Sequence, residues 1–175
     1  MMKNKMIFLE LLAFMLPCYI ANAAPVLVGG GGRLDCGITL GDGMGLFGKT
    51  KTVQGFLGGI AAGVIASGLI SLWWPGLLFG NREVLFLSGS MLAVGALVGD
   101  AGGSFIKRRM GVRPGMHSRV LDQMDFVMGA LVFAYPFAKG IYTIPNIAFI
   151  LIISYLLHVG TNLMANRAGL KKVPW

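Results

Sequence analysis

Charge divides this sequence into long uncharged runs, and that division limits the fold more than any other feature. Residues 11–32 lie between Glu10 and Arg33, and residues 52–81 lie between Lys51 and Arg82. After Glu83 the chain stays apolar to Ile106, broken only by Asp100. Residues 126–138 precede Lys139 and reach back to Val120 if Asp122 and Asp125 are admitted, and residues 140–166 lead up to Arg167. A spanning helix needs about 20 apolar residues. The runs therefore predict five spans, at about 8–28, 56–78, 84–106, 120–138 and 145–166. Composition agrees, with 55% hydrophobic and 13% charged residues, against about 25% charged in soluble domains. Mean hydropathy is +0.74. An ordinary water-soluble enzyme, a disordered tail and a disulfide-stapled domain are all excluded. The expectation is an all-α integral membrane protein of the cell membrane. Its five transmembrane helices form a single domain over 1–175, with no room for a separate soluble one.

The first run also has the basic start, apolar middle and Ala-rich end of a secretory signal peptide. Glu10 interrupts it and the rest of the chain is itself apolar, so it is read as a retained span. Orientation follows from the cations. With five spans, the 29–55 loop, the 107–119 loop and the C-terminal tail share one side. That side carries Arg33, Lys49, Lys51, Lys107, Arg108, Arg109, Arg113, Arg119, Arg167, Lys171 and Lys172. The other side carries Lys3, Lys5, Arg82 and Lys139. The positive-inside bias puts the N-terminus outside, the C-terminus in the cytosol and both large loops in the cytosol. The net charge of +8 is then explained by loops beside anionic lipid, and no nucleic-acid partner is needed. Glycines at four-residue spacing, Gly55, Gly59 and Gly63, then Gly95, Gly99 and Gly103, read as close helix contacts.

Polar groups inside a membrane are costly, so their depth is informative. Asn22, Asp100, Ser104, Asp122, Asp125, His158, Asn162 and Asn166 all fall near the cytosolic ends of their spans. One polar chamber open to the cytosol accounts for that layering better than scattered interhelical hydrogen bonds. Asp122 and Asp125 share a helix face at i, i+3, as do Asp100, Ser104 and Lys107 at i, i+4, i+7. Three carboxylates at one depth would repel unless a cation sat among them. Hard oxygen ligands with phosphates suit Mg²⁺. The adjacent basic stretch supplies Lys107, Arg108, Arg109, Arg113 and Arg119, and arginine forks recognise phosphate oxygens. Together these point to a phosphoanhydride substrate. A bare juxtamembrane anchor would leave the aspartates unexplained.

Gly43–Thr50, GMGLFGKT, also fits the P-loop pattern, with Lys49 for phosphate and Thr50 for Mg²⁺. A P-loop needs a strand before it and a helix directly behind. A loop of this length between two spans cannot supply a sheet, so the match is set aside. The two cysteines, Cys18 and Cys36, suggest no redox role.

Gly99 to Asp125 resembles the signature of the CDP-diacylglycerol synthase superfamily of membrane cytidylyltransferases. Gly99, Asp100, Ser104, Lys107, Arg108, Asp122 and Asp125 match it in order and spacing. The short five-span form is similar to the archaeal branch, the CDP-archaeol synthases. Ala21, Asn22, Ala23 and Pro25 match an element of the first span in that branch, and Lys51, Thr52 and Gly55 match one that opens the second. Gln123, Lys49, Val53 and Gln54 depart from the usual residues of the wider superfamily. The resemblance implies that CTP and an isoprenoid ether lipid phosphate, 2,3-bis-O-(geranylgeranyl)-sn-glycerol 1-phosphate, give a CDP-lipid and pyrophosphate with Mg²⁺. It implies that Asp100, Asp122 and Asp125 hold the metal. Lys107, Arg108 and Lys51 then take the phosphates, Ser104 and Thr52 are supporting donors, and Asn22 lines the chamber. Asp100, Lys107, Asp122 and Asp125 are the expected catalytic set. Membrane lipids surround the chain, and a homodimer is an allowed assembly. The rival reading is a small transporter or channel with a charged cytosolic vestibule. It would place polar groups through the whole depth.

Overall fold

The computed structural model describes residues 2–112, 121–167 and 169, and within these the side chains of all but 2–7, 121–123 and 165. Among the described residues six α-helices follow one another: α1 Met2–Ala23, α2 Pro25–Val28, α3 Val53–Trp73, α4 Arg82–Arg109, α5 Leu121–Ala138 and α6 Ile144–Arg167. A 3-10 turn, Lys139–Ile141, extends α5. Five stretches of the described residues are long and apolar enough to cross a membrane: Phe8–Val28, Val53–Trp73, Arg82–Arg109, Met124–Ile141 and Ile144–Met164. This is the make-up of a multi-pass membrane protein.

Local chemistry sets the helix ends. Thr52 caps α3, its Oγ1 accepting from the Gly55 amide at 3.1 Å. Asn81 caps α4, its Oδ1 accepting from Glu83 and Val84 at 2.8 and 3.2 Å. Such caps satisfy donors that the first helical turn leaves open. The second span starts three residues earlier than hydropathy suggests and stops at Trp73 rather than 78. Trp74 precedes Pro75, and a residue before proline is pushed out of helical geometry. The third runs on through Lys107, Arg108 and Arg109, which their charge assigns to the second loop. Cations are favourable at a helix C-terminus, and the helix ends only at Met110, before Gly111 with φ 75°.

Helix α4 is the centre of the bundle and packs against α1, α3 and α5. Its approach to α5 is so close that side chains are excluded. A Cβ on Gly95 would lie 2.5 Å from the Gly129 carbonyl oxygen, and one on Gly99 would lie 2.4 Å from that of Asp125. On the other side, a Cβ on Gly63 would meet Ala93 at 2.4 Å and the Pro17 carbonyl oxygen at 2.8 Å. The glycine rows thus allow backbone-to-backbone contact where apolar burial alone gives helices in lipid little reason to associate. Leu11, Phe14, Met15, Cys18, Leu92 and Val127 fill the core between these contacts. Helix α6 lies at the edge. Tyr19 and Ser154 share a hydrogen bond of 2.7 Å that ties it to α1, and it exposes Ile152, Leu156 and Met164.

Candidate active site

The loop between α2 and α3 folds without strands, around one buried carboxylate. Asp35 is 3% exposed. Its oxygens accept from the amides of Gly37, Phe47 and Gly48 at 3.0, 3.2 and 3.3 Å and from Arg33 Nη2 at 3.0 Å. Burial alone would raise the Asp35 carboxyl, but these donors outweigh it and hold it below the usual carboxylate range. Paired backbone bonds close the neck of the loop: the Leu34 amide donates to Lys51 at 2.8 Å and the Val53 amide to Gly32 at 3.0 Å. Thr52 Oγ1 also accepts from the Gly30 amide at 3.2 Å. Only isolated bridges, Arg33 with Thr52 and Thr39 with Gly45, occur in this stretch. No strand leads into Gly43–Thr50, and α3 begins beyond it at Val53. The P-loop match therefore lacks its strand, and the helix behind it starts past the motif rather than at its Lys-Thr end.

This folded loop roofs a cavity of about 510 Å³. Asn22 from the end of α1, Thr50, Lys51 and Thr52 from the loop, and Asp100 from α4 give it a polar side. Pro25, Val26, Leu34, Phe56 and Leu97 give it an apolar wall. Lys51 Nζ is hydrogen-bonded to Asp100 Oδ2 within it, and both side chains are about one quarter exposed. Four residues predicted from sequence, Asn22, Lys51, Thr52 and Asp100, are thus brought together from three elements up to 78 positions apart in number.

Asp125 sits across α4, against Gly103. A Cβ there would lie 2.1 Å from Asp125 Oδ2, so only glycine admits this carboxylate. Its Oδ1 accepts from the Phe126 amide at 2.7 Å. Its Oδ2 is buried with no hydrogen-bond partner among the described residues, and Lys107 Nζ stands 3.9 Å away. Asp100 and Lys51 also lie within electrostatic reach of it. Ser104 and Arg108 are buried, and Arg108 Nε and Nη1 have no hydrogen-bond partner among the described residues. Asp122 belongs to α5, but its side chain lies outside the described residues, as do Arg113 and Arg119. His158 stacks near Phe126, with centroids 5.7 Å apart, and Asn162 is buried.

Among the described residues no three His, Cys, Asp or Glu side chains form a metal-binding group. The chemistry present still suits a hard divalent cation. Among the described residues Asp125 Oδ2 is a buried oxygen with no donor, and Asp100 is held by an ammonium that a metal could replace. An incompletely satisfied buried carboxylate is expensive. With polyphosphate oxygens added, these donors are of the kind Mg²⁺ prefers.

The sequence did not reveal the apolar wall of Leu34, Phe56 and Leu97, or the Asp35 hub. Arg33-x-Asp35-x-Gly37 was the one available signal for the hub, an acid flanked by a cation and a turn glycine.

The chain matches the family described as CarS-like, CDP-archaeol synthase, over residues 4–175. A CDP-archaeol synthase from Pyrococcus furiosus is 41% identical over 169 residues, covering 95% of this chain and 98% of that one. One from Aeropyrum pernix is 44% identical over 168 residues, covering 95% and 92%. A solved structure of an intramembrane enzyme of archaeal membrane lipid biosynthesis superposes with a TM-score of 0.79 at 38% identity. It covers 89% of this chain and 94% of its own.

Proposed function

The chain belongs to the CDP-archaeol synthase family, and from that premise we propose how a membrane nucleotidyltransferase works in the cavity under its first loop. Family membership makes it a cytidylyltransferase acting on an archaeal lipid phosphate. The substrates are CTP and 2,3-bis-O-(geranylgeranyl)-sn-glycerol 1-phosphate, and the products are the CDP-lipid and pyrophosphate. The observation that carries the site assignment is the Lys51–Asp100 pair inside a cavity that is polar on one side and apolar on the other.

The lipid phosphate is already anionic and serves as the nucleophile, so the protein need not supply a strong base. A phosphate oxygen attacks the α-phosphorus of CTP, the bond to the bridging oxygen breaks, and pyrophosphate leaves with that oxygen. Catalysis is then positioning and charge neutralisation. Lys51 swings from Asp100 to the nucleotide phosphates, with Thr52 beside it as a donor. Lys107 and Arg108, whose Nε and Nη1 have no hydrogen-bond partner among the described residues, take further phosphate oxygens, and Ser104 supports them. Asp100 and Asp125, with Asp122, would hold Mg²⁺, which when bound neutralises charge on the phosphates. Asn22 borders the nucleotide. Val26, Leu34, Phe56 and Leu97 suit the start of the lipid's alkyl chains, whose remainder stays in the bilayer.

Purified protein in detergent with Mg²⁺ and radiolabelled CTP tests the reaction. Label is expected in an organic-soluble product only when the lipid phosphate is added. Label that stays aqueous in both arms would defeat the proposed reaction.

The same proposal places the site in the cytosol, where CTP is available, with the N-terminus outside and the lipid entering from the cytosolic leaflet. With Cys18 and Cys36 changed to Ser, Lys49→Cys should react with an impermeant thiol reagent only in inside-out vesicles. Arg82→Cys should react only in right-side-out vesicles. The opposite pattern would put the cavity on the wrong side for its nucleotide.

A further inference from the structure

Arg109 does something that its neighbours do not. Lys107 and Arg108, in the same last turn of α4, are buried at 8% and 6% exposure. Arg109 instead reaches over the first loop. Its Nη1 donates to Asp42 Oδ1 at 3.1 Å and lies 3.0 Å from Oδ2. Its Nη2 donates to the carbonyl oxygens of Gly45 at 2.9 Å and Met44 at 3.3 Å. The guanidinium carbon stands 5.3 Å from the centre of the Phe105 ring, so the fork is braced from beneath. A planar guanidinium can serve a carboxylate and two carbonyls at once, which a lysine ammonium on a flexible stem does poorly.

The turn it grips is the far end of a body that holds itself together. Asp35 knits residues 33–48, and the neck is closed by its own backbone bonds. Among the described residues, the hydrogen bonds that tie the far end of this loop to a helix come from Arg109. The near end carries Lys51 and Thr52 into the cavity.

We propose that Arg109 is a positioning residue that clasps the 42–45 turn to the end of α4 and so keeps the first loop, with Lys51 and Thr52, closed over the nucleotide site. The proposal rests on the assignment of Lys51 to the nucleotide phosphates. With the clasp open, Lys51 samples positions outside the cavity. The nucleotide must then supply the closing energy, and apparent affinity falls by the fraction of molecules closed. Once nucleotide saturates the site, the reacting groups are all in place. The signature is therefore a raised KM for CTP with kcat nearly unchanged. A merely structural role would instead lower the active fraction and leave KM alone.

The test compares Arg109→Ala, Arg109→Lys and Asp42→Ala in detergent, reading KM for CTP, kcat and amide hydrogen exchange across 36–48. Arg109→Ala should raise KM about tenfold, keep kcat within about twofold, and speed exchange in 36–48 but not in the middle of α4. Asp42→Ala removes a partly exposed ion pair and the acceptor of the Met44 amide at 3.0 Å, but leaves the Arg109 bonds to the Met44 and Gly45 carbonyls, so about two- to fivefold is expected, more at low salt. Arg109→Lys should fall between them. Unchanged exchange in 36–48 overturns the clasp, and faster exchange with unchanged KM overturns its role in nucleotide binding. A lost kcat at unchanged KM would make Arg109 part of the chemistry or of stability instead. If Arg109→Ala does not fold, Asp42→Ala decides by the same criteria. Lys51→Ala, measured alongside, separates the two layers: unchanged nucleotide affinity there defeats the Lys51 assignment, while exchange in Arg109→Ala still reports the clasp.

Discussion

Asp125→Asn should lower turnover by about 10³-fold while the protein melts at the same temperature or higher. The loss follows from charge. A reaction run by positioning and neutralisation loses about 10²–10³-fold when one preorganised electrostatic group is removed, and this carboxylate is assigned to the metal as well. The unchanged or improved melting follows from the environment of the group. The Asp125 side chain is 6% exposed, Oδ2 lacks a hydrogen-bond donor among the described residues, and Lys107 Nζ stands 3.9 Å from it. Such a carboxylate is costly to fold around, and its neutral isostere fills the same space against Gly103, a saving that offsets the lost ion pair with Lys107 at 3.9 Å. Opposite signs in activity and stability mark a group kept for function. Activity is read from labelled CTP at saturating Mg²⁺, and stability from a thermal melt in detergent. Near-normal turnover would remove Asp125 from the metal assignment. Lost turnover with a lower melting temperature would make it a structural residue.

The five spans were legible because each depends on a local quantity, a long run of residues without charge. The glycine rows were legible because helical spacing fixes which residues share a face. The misplaced boundaries fall where charge was used in place of backbone geometry. Lys107, Arg108 and Arg109 are charged yet helical, because cations suit a helix end and Gly111, not charge, provides the stop. The polar half of the cavity could be read because intramembrane Asn22 and Asp100 have few bland explanations. Its apolar wall could not, since Leu34, Phe56 and Leu97 look like any other apolar residue until the chain is folded. The clasp was hidden for a different reason. Asp42 and Arg109 lie 67 positions apart, and an irregular loop has no periodicity to announce which of its residues turn toward a helix.

The two lysines that frame the P-loop pattern should behave oppositely. Lys51→Ala is expected to cost about 10²-fold or more in kcat/KM, and Lys49→Ala no more than about twofold. Their sequence environments are nearly identical, two residues apart around Thr50, and a Walker-type reading assigns the phosphate to Lys49. The fold separates them. Lys49 is exposed on the loop, whereas Lys51 turns inward at the neck, where Leu34 donates to its carbonyl and its ammonium meets Asp100. A phosphate bound in the cavity can reach Lys51 by exchanging places with a carboxylate already there. To reach Lys49 it would have to leave the cavity. Removing Lys51 also takes the ion-pair partner from Asp100, so the variant loses the proposed phosphate ligand and changes the charge balance at the proposed metal site. Lys51→Arg should recover only part of the loss, because a planar fork does not replace a compact ammonium in a site of this size. The deciding measurement is kcat/KM for both alanine variants in one preparation series. A dead Lys49→Ala beside an active Lys51→Ala would mean that GMGLFGKT binds phosphate through Lys49 after all, and that the Lys51–Asp100 pair is only a structural fastening of loop to helix.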